Sequence, residues 1–368
     1  MNAIVFYVSG HGFGHASRQT EVLNALGPAL GATDSDATLV LRTAASPWLL
    51  DRTLRVPVER MPAVVDTGIV QIDSLTLDVD ATFREARAFY ANFDALAKDE
   101  ADLLRSLKAR LVVSDIAPLG FEAAHRAKIP SIAIGNFTWD WIYEGYEEAA
   151  TAGMIISTIR VANRKATTAL RLPLHGGFET CPVVEDIPFI ARHAVHGRDE
   201  VRRMLGIPDE RPAVLASFGA YGVAQLSTQR PDCLPDWTVV VSDRTSPDGA
   251  NTEGVVHVHE DNLYQQGLRY EDLVGAVDVV LTKPGYGIVA ECIANDTALV
   301  YTSRGRFPEY DVFVREMPRY VRCTFLSQEN LHAGCWRQAL DAVLAQPRPP
   351  KTATDGADIA VARILDHL

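Results

Sequence analysis

Short apolar runs alternate along the chain with stretches whose apolar residues recur every three to four positions. The runs fall at residues 4–8, 37–41, 111–113, 131–134, 214–217, 238–241, 277–281 and 298–301. Several, such as Ile4-Val5-Phe6-Tyr7-Val8, are continuous, the pattern of strands buried on both faces. The helical period predicts helices at 16–26, 81–107, 119–127, 142–169, 198–205, 287–294, 310–317 and 329–345. A last short helix has an apolar side made by Ile359, Val361, Ile364 and Leu365. Strands alternating with helices predict an α/β fold of doubly wound parallel sheets, with the functional loops at the carboxyl ends of the strands. The period fails from 173 to 188, where three prolines and two glycines read as a linker. The expected division is therefore a domain at 1–180, a second at 181–350, and a terminal helix at 351–368 packing back across the junction.

Composition adds bounds to this picture. The 368 residues suit two domains of roughly 150 each. A net charge of −12 argues against nucleic acid or an anionic membrane as the main partner, because both require a basic face. A local basic pocket for a phosphate remains compatible. The five cysteines are odd in number and contain no C-x-x-C pair, so neither a disulfide framework nor a zinc site is expected, and a cytoplasmic location fits. The first residues carry no basic region or cleavage site, so no signal peptide is expected. The apolar runs fall well short of the roughly 20 residues of a membrane span.

Candidate chemistry gathers at two glycine turns, each between a strand pattern and a helix pattern. The first is Ser9-Gly10-His11-Gly12-Phe13-Gly14-His15-Ala16-Ser17-Arg18, and the second Lys283-Pro284-Gly285-Tyr286-Gly287. Such turns aim backbone N–H groups and a positive helix end at an anion. The expectation is that they face each other across a cleft. The first turn fails the dinucleotide fingerprint, since its glycines are evenly spaced and Leu41-Arg42-Thr43 stands where an acidic residue belongs. It also lacks the Gly-Lys-Ser/Thr of a P-loop. His11 and His15 would not share a helix face as a metal pair, and no third ligand is evident. Either they hydrogen-bond the turn, or one is a general base beside glycines that admit a ligand.

Asp115 ends the run Leu111-Val112-Val113-Ser114. There it would orient and charge His15, or cap the helix entered at Pro118. Phe137, Trp139, Trp141 and Tyr143, with Asn136 and Asp140 among them, would form a stacking platform for a sugar ring or pack a long loop. The D-x-D matches Asp34-Ser35-Asp36 and Asp78-Val79-Asp80 follow no buried strand near the turns and are set aside, and His257 and His259 read as a structural pair.

The first turn resembles the opening motif of the glycosyltransferase-like N-terminal domain of plant L-arabinokinases. So, in the same order, do Val112-Val113-Ser114-Asp115, Asn136-Phe137-Thr138-Trp139-Asp140-Trp141-Ile142-Tyr143 and Lys283-Pro284-Gly285-Tyr286-Gly287-Ile288-Val289-Ala290-Glu291. More distantly, the turn is similar to that of the peptidoglycan N-acetylglucosaminyltransferases, whose closing histidine His15 matches. His11 matches only the arabinokinase type. The galactokinase-like half of those plant proteins has no counterpart here, so sugar kinase activity is not implied.

The resemblance implies a GT-B fold, with acceptor and base in the first domain and a nucleotide-sugar in the second. The catalytic set would be His15, Asp115 and His11. The donor side would be Gly219 of the Ser217-Phe218-Gly219-Ala220 turn, Lys283, Gly285, Tyr286 and Gly287 on the phosphates, Glu291 on the ribose, and Glu309, or alternatively Asp311, on the sugar. Glu309 and Asp311 would otherwise cap a helix. The acceptor side would be Gly12, Phe13, Gly14, Arg18, Trp139 and Trp141. The implied function is a metal-independent inverting glycosyltransferase using a UDP-linked sugar and a hydroxyl acceptor, without a cofactor. The alternatives are a sugar-nucleotide epimerase or hydrolase, and a non-catalytic binding module.

Overall fold

The computed structural model describes residues 2–33, 37–219, 233–243 and 253–368. The discarded D-x-D match at 34–36 and Ala220 of the small turn lie outside the described residues.

The first half of the chain runs β1 (Asn2–Val8), α1 (Gly14–Ala32), β2 (Ala37–Thr43), α2 (Pro47–Thr53), β3 (Glu59–Pro62), α3 (Val79–Ala91), α4 (Phe93–Ser106), β4 (Ala109–Asp115), α5 (Pro118–Ala127), β5 (Ser131–Phe137), α6 (Trp139–Glu144), α7 (Gly153–Asn163), β6 (Thr168–Gly176) and β7 (Val184–Asp186). The second runs α8 (Arg198–Leu205), β8 (Ala213–Ala216), β9 (Thr238–Asp243), β10 (Val255–His259), α9 (Glu260–Gln265), α10 (Tyr270–Ala276), β11 (Val279–Thr282), α11 (Tyr286–Ala294), β12 (Ala298–Tyr301), α12 (Glu309–Glu316), β13 (Cys323–Phe325), α13 (Gln328–His332), α14 (Arg337–Leu344) and α15 (Gly356–Leu365). Two parallel sheets result, ordered β3-β2-β1-β4-β5-β6-β7 and β10-β9-β8-β11-β12-β13.

Strand order reverses between β1 and β4 in the first sheet, and between β8 and β11 in the second. At such switch points the loops leaving adjacent strands diverge and open a crevice at the carboxyl ends. The histidine turn leaves β1, and Asp115 ends β4 in register with Val8. The Ser217–Gly219 stretch leaves β8, and the Lys283 turn leaves β11. Each candidate turn thus occupies the place where doubly wound sheets generally bind ligands.

The buried runs form β1, β4 and β5, whose interiors are almost wholly inaccessible. An apolar cluster extends from β1 and α1 into α11, β12 and α15, so the halves share core. The helix α15 packs on α1, and a backbone bridge joins Ile190 to Asp355.

Four expected elements differ. The helix at 329–345 is two helices, α13 and α14, separated around Gly334 at φ +71°. The helix at 81–107 is two helices, broken at Asn92, which ends α3 and precedes α4. The segment 142–169 divides at Gly145 and Gly153 into α6, a 3₁₀ turn and α7, and then enters β6. The supposed linker at 173–188 contains the end of β6 and all of β7, so the first sheet continues past residue 180. Pro173 is tolerated because β7 pairs with β6 only through Ala169–Arg171, and pairing with β5 is irregular beyond Gly135. Among the described residues no helix is long and apolar enough to cross a membrane.

Candidate active site

A cavity of about 200 Å³ lies where the two sheets present their switch points, lined by His11, Gly14 and His15 on one side and Lys283, Gly285 and Gly287 on the other. The two turns are almost in contact, since a Cβ built on Gly287 would stand 3.6 Å from the Gly14 Cα. The N-termini of α1 and α11 therefore open into one space, and both helix ends favour negative charge there.

His15 sits buried in the first turn of α1. Its Nδ1 lies 3.0 Å from Asp115 Oδ1. Asp115 also accepts from Arg18 Nη2 at 2.6 Å and from Gln19 Nε2 at 3.2 Å. Burial alone would raise the Asp115 carboxyl, but the Arg18 charge and His15 beside it hold it below the usual carboxylate range. Arg18 Nη2 also lies 3.2 Å from the same Nδ1; in the tautomer whose Nδ1 proton points to the ionised Asp115, Nε2 keeps its lone pair. The ring is fixed by Phe137 edge-on at 5.6 Å and Trp139 at 5.9 Å.

His11 occupies the rim. Gln71 Nε2 lies 3.1 Å from its Nε2, and Phe307 stacks nearly parallel to its ring at 6.4 Å. Burial, and then the positive charge of Arg304 and any carried by His15 or Lys283, hold it well below the usual histidine value, so it is neutral. Gly68, at φ +57°, makes this packing possible: a Cβ there would fall 2.8 Å from His11 Nδ1.

A polar chain continues from Asp115 into the second half. Arg18 Nη1 donates to Asn136 Oδ1 at 2.9 Å, Asn136 Nδ2 donates to Glu309 Oε1 at 2.6 Å, and Arg304 Nη1 donates to Glu309 Oε2 at 3.2 Å. Lys283 Nζ reaches Gln71 Oε1 at 3.4 Å and forms no ion pair among the described residues. Burial, reinforced by Arg304, pushes its pKa well below the usual lysine value. Tyr286 is buried under Arg18, whose guanidinium lies 5.1 Å from the ring centre.

The structure thus brings together Gly12, Phe13, Gly14, His15, Arg18, Gly219, Lys283, Gly285, Tyr286, Gly287, Glu291 and Glu309 around one cavity. Asp115 stands behind them. Three expected residues stand elsewhere. Asp311 is exposed on α12 and is not in the lining of this cavity. Trp139 is fully buried, with Nε1 donating to Asp66 at 2.9 Å. Trp141 packs into Gly176, where a Cβ would have no room. Trp139 therefore backs the two histidines, and neither tryptophan lines the cavity, whereas Phe137 at the end of β5 does. Asp78, from the discarded acidic pair, caps α3 by accepting from Ala81 N–H.

Glu291 lines the cavity, but Arg192 Nε donates to its Oε1 at 2.8 Å. Burial, partly offset by Arg192, pushes its carboxyl up to about 7. Arg192, Tyr264 and Tyr270 complete that end of the cavity, and no motif announced them.

Asp66 was also missed. It is buried, accepting from Ser9 Oγ and Trp139 Nε1, both at 2.9 Å. Burial, only partly opposed by His15 and these donors, pushes it up to about 6. Its folded-state pKa exceeds the ordinary 3.8, so its contribution to stability is full below that value and is lost as pH rises through about 6. Asp66→Asn is expected to flatten the fall in unfolding free energy between about pH 4 and 6, measured by urea titration at a series of pH values. An unchanged slope would remove Asp66 as the titrating group.

Two facing parallel sheets, with their switch points opening onto one cleft, define the GT-B fold of glycosyltransferases, and solved structures of that class match the chain. One is the glycotransferase of kitacinnamycin, with a TM-score of 0.62 and 16% identity, matching 100% of this chain and 99% of that one. Another is a UDP-glucosyltransferase from Polygonum tinctorium capable of glucosylating indoxyl, with a TM-score of 0.63 and 11% identity, matching 100% of this chain and 98% of that one. In sequence, the chain is similar to L-arabinokinase of Arabidopsis thaliana, 29% identical over 368 residues that cover 98% of this chain and 34% of that protein. The chain thus spans about a third of that relative's length. No protein-family model matches it.

Proposed function

We propose that the chain is a metal-independent, inverting glycosyltransferase that moves a sugar from a UDP-linked donor to a hydroxyl acceptor. The observation that carries this reading is the meeting of two unlike turns. One presents His15 with Nε2 free and Asp115 behind it. The other presents Lys283 without a carboxylate partner among the described residues, at the N-terminus of α11.

In the proposed step, His15 Nε2 takes the acceptor hydroxyl proton as the acceptor oxygen attacks the anomeric carbon from the face opposite the leaving group. The bond from that carbon to the diphosphate breaks, and the configuration inverts. Charge growing on the diphosphate meets the amides of Gly285–Gly287, the α11 dipole and Lys283, groups already in place before reaction. An anion there would restore the Lys283 charge that burial suppresses, so the protein supplies the counter-charge that a metal supplies elsewhere. Glu309 would hold donor-sugar hydroxyls and Glu291 the ribose, exchanging Asn136 and Arg192 for ligand. On this reading the stretch from β1 through β7 carries the base, and that from β8 through α14 carries the donor.

UDP at 100 times its dissociation constant should stabilise the protein by about 2.7 kcal/mol, read as a rise in melting temperature. No shift with any nucleoside diphosphate at millimolar concentration would sink the reading. A non-catalytic module draws on one observation, that L-arabinokinase matches over only 34% of its length. UDP binding without release of UDP from UDP-sugars, across a broad acceptor panel, would favour it.

A further inference from the structure

A second cavity, of about 280 Å³, lies on the other side of His11. The loop at 65–71, between β3 and α3, forms most of its wall, with Glu85 of α3 on the rim. His11 and Gln71 line both cavities, so they form the partition between them.

The two spaces have opposite chemistry. The first is faced by Arg18, Arg192, Lys283 and Arg304. The second has no lysine or arginine in its lining, and its polar side chains are His11, Asp66, Thr67, Gln71 and Glu85. Asp66 is 7% exposed, and its two oxygens accept one hydrogen bond each, from Ser9 and Trp139. Each oxygen keeps a further lone pair. Glu85 is exposed and adds a second carboxylate. A phosphate or carboxylate on a ligand would meet like charge here, at a cost in affinity. A flat apolar ligand would find no aromatic face besides His11. At about 30 Å³ per water, the volume holds on the order of nine waters, the scale of a single sugar-sized ring.

The geometry points to this second cavity as the acceptor site, taking a small polyol, neutral or amine-bearing, whose hydroxyls or ammonium donate to Asp66, Glu85 and Gln71. The inference rests on the glycosyl-transfer reading above. One hydroxyl of the bound polyol extends past His11, whose ring centre stands 6.1 Å from that of His15. Its proton goes to His15 Nε2, its oxygen bonds to the anomeric carbon, and the diphosphate leaves with the electrons of the broken bond. The partition thus sorts two substrates by charge, the anionic donor to the basic side and the hydrogen-bond-rich acceptor to the acidic side.

Saturation-transfer NMR on the whole chain in the presence of UDP tests this, with myo-inositol, glucosamine, glucose 6-phosphate and 4-nitrophenol as probes. Signal is expected from myo-inositol and glucosamine and not from the phosphate or the phenol. Glu85→Arg, an exposed change that the fold should tolerate, is expected to weaken glucosamine about tenfold, the scale of one charge-assisted hydrogen bond. Asp66→Asn should weaken both polyols. Signal from 4-nitrophenol alone, no signal from either polyol, or polyol binding indifferent to Glu85→Arg would each overturn the assignment. The UDP-induced melting shift on the same preparation separates the two ideas. A protein that binds UDP but no polyol loses this inference alone, whereas one that binds neither loses the whole reading of the cleft.

Discussion

His15→Ala is expected to lower kcat for sugar transfer by about 10²–10⁴-fold, the range a positioned general base contributes, while UDP still raises the melting temperature. The size of the effect follows from how completely the ring is prepared. Asp115 holds Nδ1 at 3.0 Å and is itself kept ionised by Arg18. Phe137 and Trp139 fix the ring plane from two sides. Removing the imidazole removes the proton acceptor but touches none of the groups expected on the diphosphate. The loss should therefore appear in kcat, and the apparent affinity for the donor should change little. Steady-state UDP release with a competent acceptor measures it. Turnover within a few-fold of the parent would mean that the base is another residue, with neutral His11 the next to test.

Asp115→Ala is expected to cost about 3–5 kcal/mol of stability, the usual price of stranding one partner of a buried ion pair. Arg18 is 4% exposed and Asp115 is fully buried, so the guanidinium left behind cannot turn to water without disturbing α1. Its remaining partners, Asn136, His15 Nδ1 and the Tyr286 ring, include no carboxylate. The double variant Asp115→Ala with Arg18→Met should recover part of the loss, because it removes the stranded charge and fills its volume with an apolar chain. Urea unfolding of the two single variants and the double variant gives the coupling directly. A cost below about 1 kcal/mol for Asp115→Ala would show that Asp115 is not what balances Arg18.

How much of this was readable in advance depended on the range of the interaction. The strands β1, β4, β8 and β11 and the two glycine turns were legible because each is a local signal, an apolar run ended by residues only a turn tolerates. The pairing of the turns also followed, since α/β connectivity sends such turns to the carboxyl ends of strands. The strands β6 and β7 were hidden because prolines and glycines dominate 173–188, while the alternation of Leu170, Leu172 and Leu174 is short. The facing of Trp139 and Trp141 was illegible because α6 is less than two turns long, too short for a period to say which side meets the core. The Arg192–Glu291 pair spans 99 positions and the Asn136–Glu309 contact spans 173. No pattern within one element encodes such partners. Asp66 lies in a loop without repeat or motif and becomes visible only through its burial.

The seam between the halves has one more property. Trp48 of α2 donates from Nε1 to Asp261 of α9 at 2.7 Å, stacks on Phe13 at 6.2 Å, and lies under the Arg52 guanidinium at 4.9 Å. The chain has five tryptophans. Trp139, Trp237 and Trp336 are sealed in cores, and Trp141 is wedged against Gly176. Trp48 alone bridges the two halves at the mouth of the cavity, with its indole half in water. Its emission colour and quenching should therefore follow the width of the gap, and the protein carries its own optical gauge of opening and closing without an added label.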